Sequence, residues 1–173
     1  MPIFSITGKR CETLTSVTLL EANSYVALSP LRTTNPYANV TLVFASLNKE
    51  GVLVYTGQTQ HLAVELFLGR VRVSYNVGNH PVSIMYSAEE VSDGMPHRVE
   101  LICAQRNLSM VVDGGMMKTI VNAGPKESLE VSTPLFIGGI PPETANRAVR
   151  HHHLRNSTSL RGKSFSQKPF PSH

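Results

Sequence analysis

LAVELFLGRVRVSYNVG, running from Leu62 to Gly78, decides the fold of this chain. Before the first glycine, Leu62, Val64 and Leu66 alternate with Ala63, Glu65 and Phe67; after it, Val71, Val73 and Tyr75 alternate with Arg70, Arg72 and Ser74. Successive side chains of a strand point to opposite faces, so a period of two predicts two half-buried strands. Leu68-Gly69 between them predicts a hairpin turn. Pairing Leu66 with Val71 also pairs Val64 with Val73 and Leu62 with Tyr75, which collects every large apolar residue except Phe67 on one face. A slip of one residue would scatter them, so the pattern fixes the register. The same register sets Glu65 opposite Arg72, and a cross-strand ion pair on the wet face accounts for Arg72 without a ligand. Arg70, at the turn, has no such partner and is a candidate binding residue.

The pattern continues on either side. SVTLL, SYVAL, NVTLVFAS, GVLVYTG, HRVELIC, LSMVVDG, MKTIVN and PLFIGG all read as strands, and no segment has helical periodicity. Val99, Leu101 and Cys103 share one face, as do Leu108, Met110 and Val112, and a loop over 104–107 joins them as a second hairpin. Asp93-Gly94 and Asp113-Gly114 mark tight turns. Many short strands between turn signals predict an all-β, two-sheet antiparallel sandwich. Its expected core includes Val64, Leu66, Val71, Val73, Leu101, Met110 and Val112. Cys103 points into that core as a small hydrophobe.

The chain has 173 residues, enough for one domain with a core, and no apolar run long enough to cross a membrane. The opening MPIFSITGKRCET lacks the continuous apolar region of a signal peptide. Cys11 and Cys103 form neither a disulfide framework nor a zinc spacing. The net charge of +4 hides an asymmetry. All twelve acids lie in residues 1–146, whereas residues 147–173 hold six basic residues, Arg147, Arg150, Arg155, Arg161, Lys163 and Lys168, and no acid. A nearly neutral body with a basic, irregular tail is the expectation. His151, His152 and His153 are consecutive in that tail and read as incidental, since no further metal ligand is nearby. Asn39, Asn107 and Asn156 each begin an Asn-x-Ser/Thr sequon, with Asn107 at a hairpin loop where a glycan would meet no core.

NVTLVFASLNKEGVLVYTG, LAVELFLGRVRVSYNVG, VSDGMPHRVELICAQRNLSMVVDGG and PLFIGGIP, in that order, resemble the laminin G-like domain. The resemblance implies a jelly-roll sandwich over residues 14–142. ITGKRCET is similar to the end of an EGF-like module, which assigns residues 1–13 to one and leaves 143–173 as the basic tail. Members continue after a sequence like LRNSTSLRG with a cysteine and a closing strand. Here Gly162 is followed by KSFSQKPFPSH, so the closing strand is expected to be missing and a sheet edge exposed.

Related sandwiches include glycan hydrolases, which need two carboxylates facing each other across the sugar, about 5–10 Å apart. Glu65 is assigned to Arg72, Glu89 and Glu90 alternate in direction, and Asp93 and Asp113 serve turns, so an enzyme is not expected. Many members hold calcium with an aspartate just before the strand matching LAVEL. Gln60 stands there, offering a carbonyl but no charge, so no calcium site and no cofactor are expected. What the resemblance implies is an extracellular, non-catalytic binding module. Its partners would be heparan sulfate proteoglycans or extracellular proteins, with no nucleic acid and no membrane insertion. The glycan-binding candidates are Arg70, Arg98, Arg147, Arg150, Arg155, Arg161 and Lys163. The alternative is a structural spacer without a specific ligand.

Overall fold

The computed structural model describes residues 16–19, 24–31, 37–155 and 163–166. Two six-stranded antiparallel sheets face each other. The first has the order β1-β12-β3-β8-β9-β10: β1 (Ser16–Leu19), β12 (Lys163–Ser166), β3 (Tyr37–Ala45), β8 (Pro96–Ala104), β9 (Asn107–Val112) and β10 (Lys118–Val121). The second has the order β2-β11-β4-β5-β6-β7: β2 (Val26–Leu28), β11 (Leu135–Ile137), β4 (Gly51–Gly57), β5 (His61–Phe67), β6 (Arg70–Asn76) and β7 (Ser83–Glu90). One helix, α1 (Pro142–Arg150), follows β11.

The hairpin registers are those the apolar pattern requires. Leu62, Val64 and Leu66 pair with Tyr75, Val73 and Val71, and Leu101 and Cys103 pair with Met110 and Leu108. These residues fill the space between the sheets, where Leu66, Val71 and Val73 have no exposed surface and Cys103 is buried and unpaired. Leu68 and Gly69 both have positive φ, 52° and 78°. That is the mirror-image turn whose twist matches a hairpin.

Three features depart from expectation. β7 (SIMYSAEE) carries Ile84 and Tyr86 on its exposed side and Met85 and Ser87 on its buried side. Bulky residues on both faces erase the alternation that would announce a strand. The stretch after Gly139 is not an irregular tail up to Arg155: it forms α1 and a following turn whose Leu154 is 1% exposed. Finally, the edge is not left open. β12 lies between β1 and β3, with Phe165 opposite Phe44 and Ser16 opposite Ser166. Ladder bonds are made by the backbone, so KSFS can supply a strand although its side chains do not advertise one. The 1–13 segment, with Cys11, lies outside the described residues.

Candidate functional site

Strands β4, β5 and β6 of the second sheet are buried on both faces, and this sets the site. Every residue of β4 is buried, as is every residue of β5 except Phe67. The outer face is covered by residues 142–155, a strap made of α1 and the turn after it. Pro142 opens the helix where a missing N–H costs nothing, Glu143 stands in the first turn, and Arg147 and Arg150 stand in the last, each complementing the helix dipole. Ala145 and Ala148 are small enough to bring the helix close to Val52, Tyr55, Ala63 and Phe136, forming a second apolar cluster with Ile140 and Leu154.

Beneath the turn the contact is polar. Arg72 and Glu65, 1% and 0% exposed, form an ion pair at 2.6 Å. The pair predicted for a wet face is therefore enclosed. A buried ion pair is tolerable only when its remaining donors and acceptors are occupied. Backbone groups of the strap occupy most of them: Arg72 donates to the His153 carbonyl at 3.0 Å, and the Arg155 N–H donates to the Glu65 carboxylate at 2.9 and 3.0 Å, while Arg72 Nε is buried without a hydrogen-bond partner among the described residues. Beside it, the His61 ring lies 3.6 Å from the His153 ring, nearly parallel. His61 Nε2 is 2.8 Å from Ser74 Oγ, and the Tyr55 hydroxyl is 3.1 Å from His153 Nδ1. Burial, with smaller contributions from His153 and Arg72, pulls His61 down to about 3, and burial with the neighbouring His151 and His152 pulls His153 down to about 4. Both rings are neutral at pH 7. Burial pushes the Tyr55 hydroxyl up to about 12 against the opposing charge of Arg147.

His61 and Ser74 have the spacing of a base and a nucleophile. Both are wholly enclosed, however, and the side chains around them are strap and sheet rather than a cleft. Their arrangement ties strands β5 and β6 together.

The sequence candidates divide between faces. Arg147, Arg150 and Arg155 are exposed on the strap. Arg70 lies at the margin of the same face: it pairs across the hairpin with Phe67, whose ring centre is 6.0 Å from the Arg155 guanidinium carbon. Arg70 is not partnerless, since it donates to the Ala88 carbonyl and lies 3.8 Å from Glu90. Arg98 is on the outer face of the other sheet, ion-paired with Glu100, so Arg70 and Arg98 do not form one patch. Asn39 and Asn107 are both exposed and flank β8 on that same opposite face. Asn156 and Arg161 fall outside the described residues, as does the side chain of Lys163. Of the histidine triplet, His151 and His152 are exposed and His153 is buried, and no group of three metal-ligating side chains occurs among the described residues. Gln60 turns its side-chain oxygen to the Glu130 N–H at 2.6 Å.

The two-sheet sandwich has known counterparts. The laminin G domain model matches residues 44–164, most of the chain including α1 and the start of β12. The chain belongs to the laminin G domain family. It is 26% identical over 169 residues to the basement membrane-specific heparan sulfate proteoglycan core protein of Mus musculus, covering 90% of this chain and 4% of that protein. It is 25% identical over 168 residues to laminin subunit alpha-1 of Homo sapiens, covering 93% and 5%. The structure is similar to domains LG4-5 of the mouse laminin alpha1 chain, with a TM-score of 0.71 at 18% identity over 96% of this chain and 44% of that one. This chain thus spans about a twentieth of the length of each of these two curated relatives. Laminin G domains are an extracellular-matrix-type family of binding modules. Among the described residues no helix is long and apolar enough to cross a membrane.

Proposed function

We propose that this laminin G domain is an extracellular, non-catalytic module that binds sulfated glycans of the heparan sulfate type through the strap face. The observation that carries the reading is the charge of the strap. Arg147, Arg150 and Arg155 are exposed, none is ion-paired among the described residues, and Glu143 is the only acid in residues 142–155. Local charge density of this kind attracts polyanions regardless of the modest net charge. Glycans at Asn39 and Asn107 would cover the opposite sheet, where Arg98 is already paired, and leave the strap free. Arg161, Lys163 and a glycan at Asn156 would extend the same segment.

Within the family, the wording HLAVEL, GRVRVSY, GNHPVS and VELICAQRNLSMVVDGG resembles the laminin G-like domain of Slit, a secreted axon-guidance glycoprotein in which an EGF-like module directly precedes it. We read the chain as part of a Slit-like protein on that wording, with ITGKRCET as the end of the preceding module.

Deleting the basic segment is a poor test, because it would strip the partners from Glu65 and Arg72. Point changes keep the fold. Arg150→Gln/Arg155→Gln should lower the salt concentration that elutes the protein from heparin, and Arg98→Gln should not. Equal elution of the double variant and the parent refutes the strap as the binding face. No retention of the parent at physiological salt favours a spacer.

A further inference from the structure

Where α1 meets the ends of β4 and β11 there is a cleft of about 90 Å³, lined by Tyr55, Gln58, Thr133, Phe136, Thr144 and Arg147. Its floor is aromatic, since Tyr55 and Phe136 are buried. Its wall depends on Gly57, which has φ of 107° and whose Cβ, if present, would lie 2.1 Å from the Gln60 carbonyl oxygen. No other residue could hold this corner. Thr144 and Arg147 are three apart on α1 and so share a helix face. Arg147 acts electrostatically on the Tyr55 hydroxyl beneath it and has no acidic partner among the described residues.

The lining chemistry selects the ligand. The cleft has the Arg147 guanidinium, the Gln58 amide and the Thr144 hydroxyl as donors and no carboxylate, the Tyr55 and Thr133 hydroxyls being engaged by His153 and by Gly57 and Thr56. A cavity of roughly 150 Å³ holds a benzene ring. A cleft of about 90 Å³ therefore admits a sulfate or carboxylate group but not a whole sugar ring. An arginine fork presents paired N–H groups that suit a planar or tetrahedral oxyanion. We propose that this cleft is a subsite for one oxyanion, a sulfate or a carboxylate, projecting from a glycan whose chain runs along the strap. The proposal rests on the glycan-binding reading above and adds a position of defined stereochemistry to a face otherwise governed by charge.

The test uses the whole chain, with amide resonances as the readout and three sugars as probes: N-acetylglucosamine 6-sulfate, glucuronate and unsubstituted N-acetylglucosamine. Saturable shifts at Gln58, Thr144 and Arg147 with the sulfated or the carboxylated sugar, and none with the neutral one, are the expected result. The two acidic arms tell which oxyanion is preferred. Arg147→Lys keeps the charge and loses the fork, so it should weaken that binding about tenfold, the loss of one hydrogen bond to a charged group. Arg98→Lys, on the opposite sheet, should leave it unchanged. Shifts that do not saturate, or that are equal in Arg147→Lys and the parent, overturn the proposal. Retention on heparin without shifts in the cleft overturns the subsite and leaves the strap reading standing. Cleft shifts without retention support the subsite and overturn that reading.

Discussion

Acid should loosen the strap, and His61 gives the size of the effect. Its ring lies between Ser74 on β6 and His153 on the strap, with Nδ1 3.3 Å from the Thr59 carbonyl, Arg72 nearby and Glu65 engaged by Arg72. No carboxylate is left to receive a second charge. Folding therefore holds the ring at about 3 instead of the ordinary 6.5. A group whose folded value is depressed takes up protons first in the unfolded chain. Its contribution to stability is complete above pH 6.5 and is lost as pH falls toward 3. At pH 5 the difference is about 1.5 pH units below the ordinary value, or about 2 kcal/mol lost relative to pH 7.5. His153, held at about 4, acts in the same direction. His97 acts oppositely. Although burial lowers its value, hydrogen bonds to Asp113 at 2.7 Å and Asp93 at 3.0 Å raise it overall, so its stabilisation is present below 6.5 and fades as pH rises through its folded value. The effect must be isolated by difference. Urea unfolding of the parent and of His61→Gln, which keeps a polar group near Ser74, should be compared at pH 7.5, 6.5, 5.5 and 5.0. The stability gap between the two should shift by about 2 kcal/mol in favour of the variant across that range. A gap constant to within about 0.5 kcal/mol would show that the imidazole is not held neutral by burial, and the reasoning would fail.

The ion pair under the strap should behave as a unit. Arg72→Met leaves the Glu65 carboxylate enclosed without its cation and should cost about 3–5 kcal/mol in urea unfolding, whereas Glu65→Gln/Arg72→Met should cost less than the sum of the single changes. Additive losses would mean the pair is solvated. In the core, Leu66→Ala should cost about 2–5 kcal/mol by thermal or urea unfolding, because Leu66 is 0% exposed between the sheets. A loss under about 1 kcal/mol would place Leu66 outside the core.

What was legible in the sequence is what local pattern determines. The hairpin of β5 and β6 was readable because its large apolar residues in the two strands, Phe67 excepted, alternate between Leu62 and Tyr75, and only one register collects them. β8 and β9 were readable for the same reason. β7 was not, because an edge strand is free to expose Ile84 and Tyr86, and this removes the contrast between its faces. β12 was not, because its place beside β3 requires only backbone groups. α1 was hidden by its composition. PETANRAVR buries only Ala145 and Ala148, residues too small to register as an apolar stripe, while its arginines read as a solvated tail.

The candidate site was legible in its charges and not in its assembly. Charge pattern identified Arg147, Arg150 and Arg155, but whether Arg72 and Arg70 join them depends on a segment some eighty residues later in the chain. The pairing of Arg72 with Glu65 follows from strand register. Its burial does not, because it is imposed by His153 and Arg155 from above. The same segment then separates the two arginines of one short strand. Arg72 becomes part of the attachment that holds the strap down, and Arg70, two residues earlier, stays at the rim beside Phe67 and Arg155. A side chain that anchors the proposed binding surface cannot also present itself to a ligand. Changes at Arg72 should therefore reach the proposed glycan binding only through loss of the strap, whereas changes at Arg150 and Arg155 should reach it with the fold intact. This is why the point variants, and not truncation, separate the two roles.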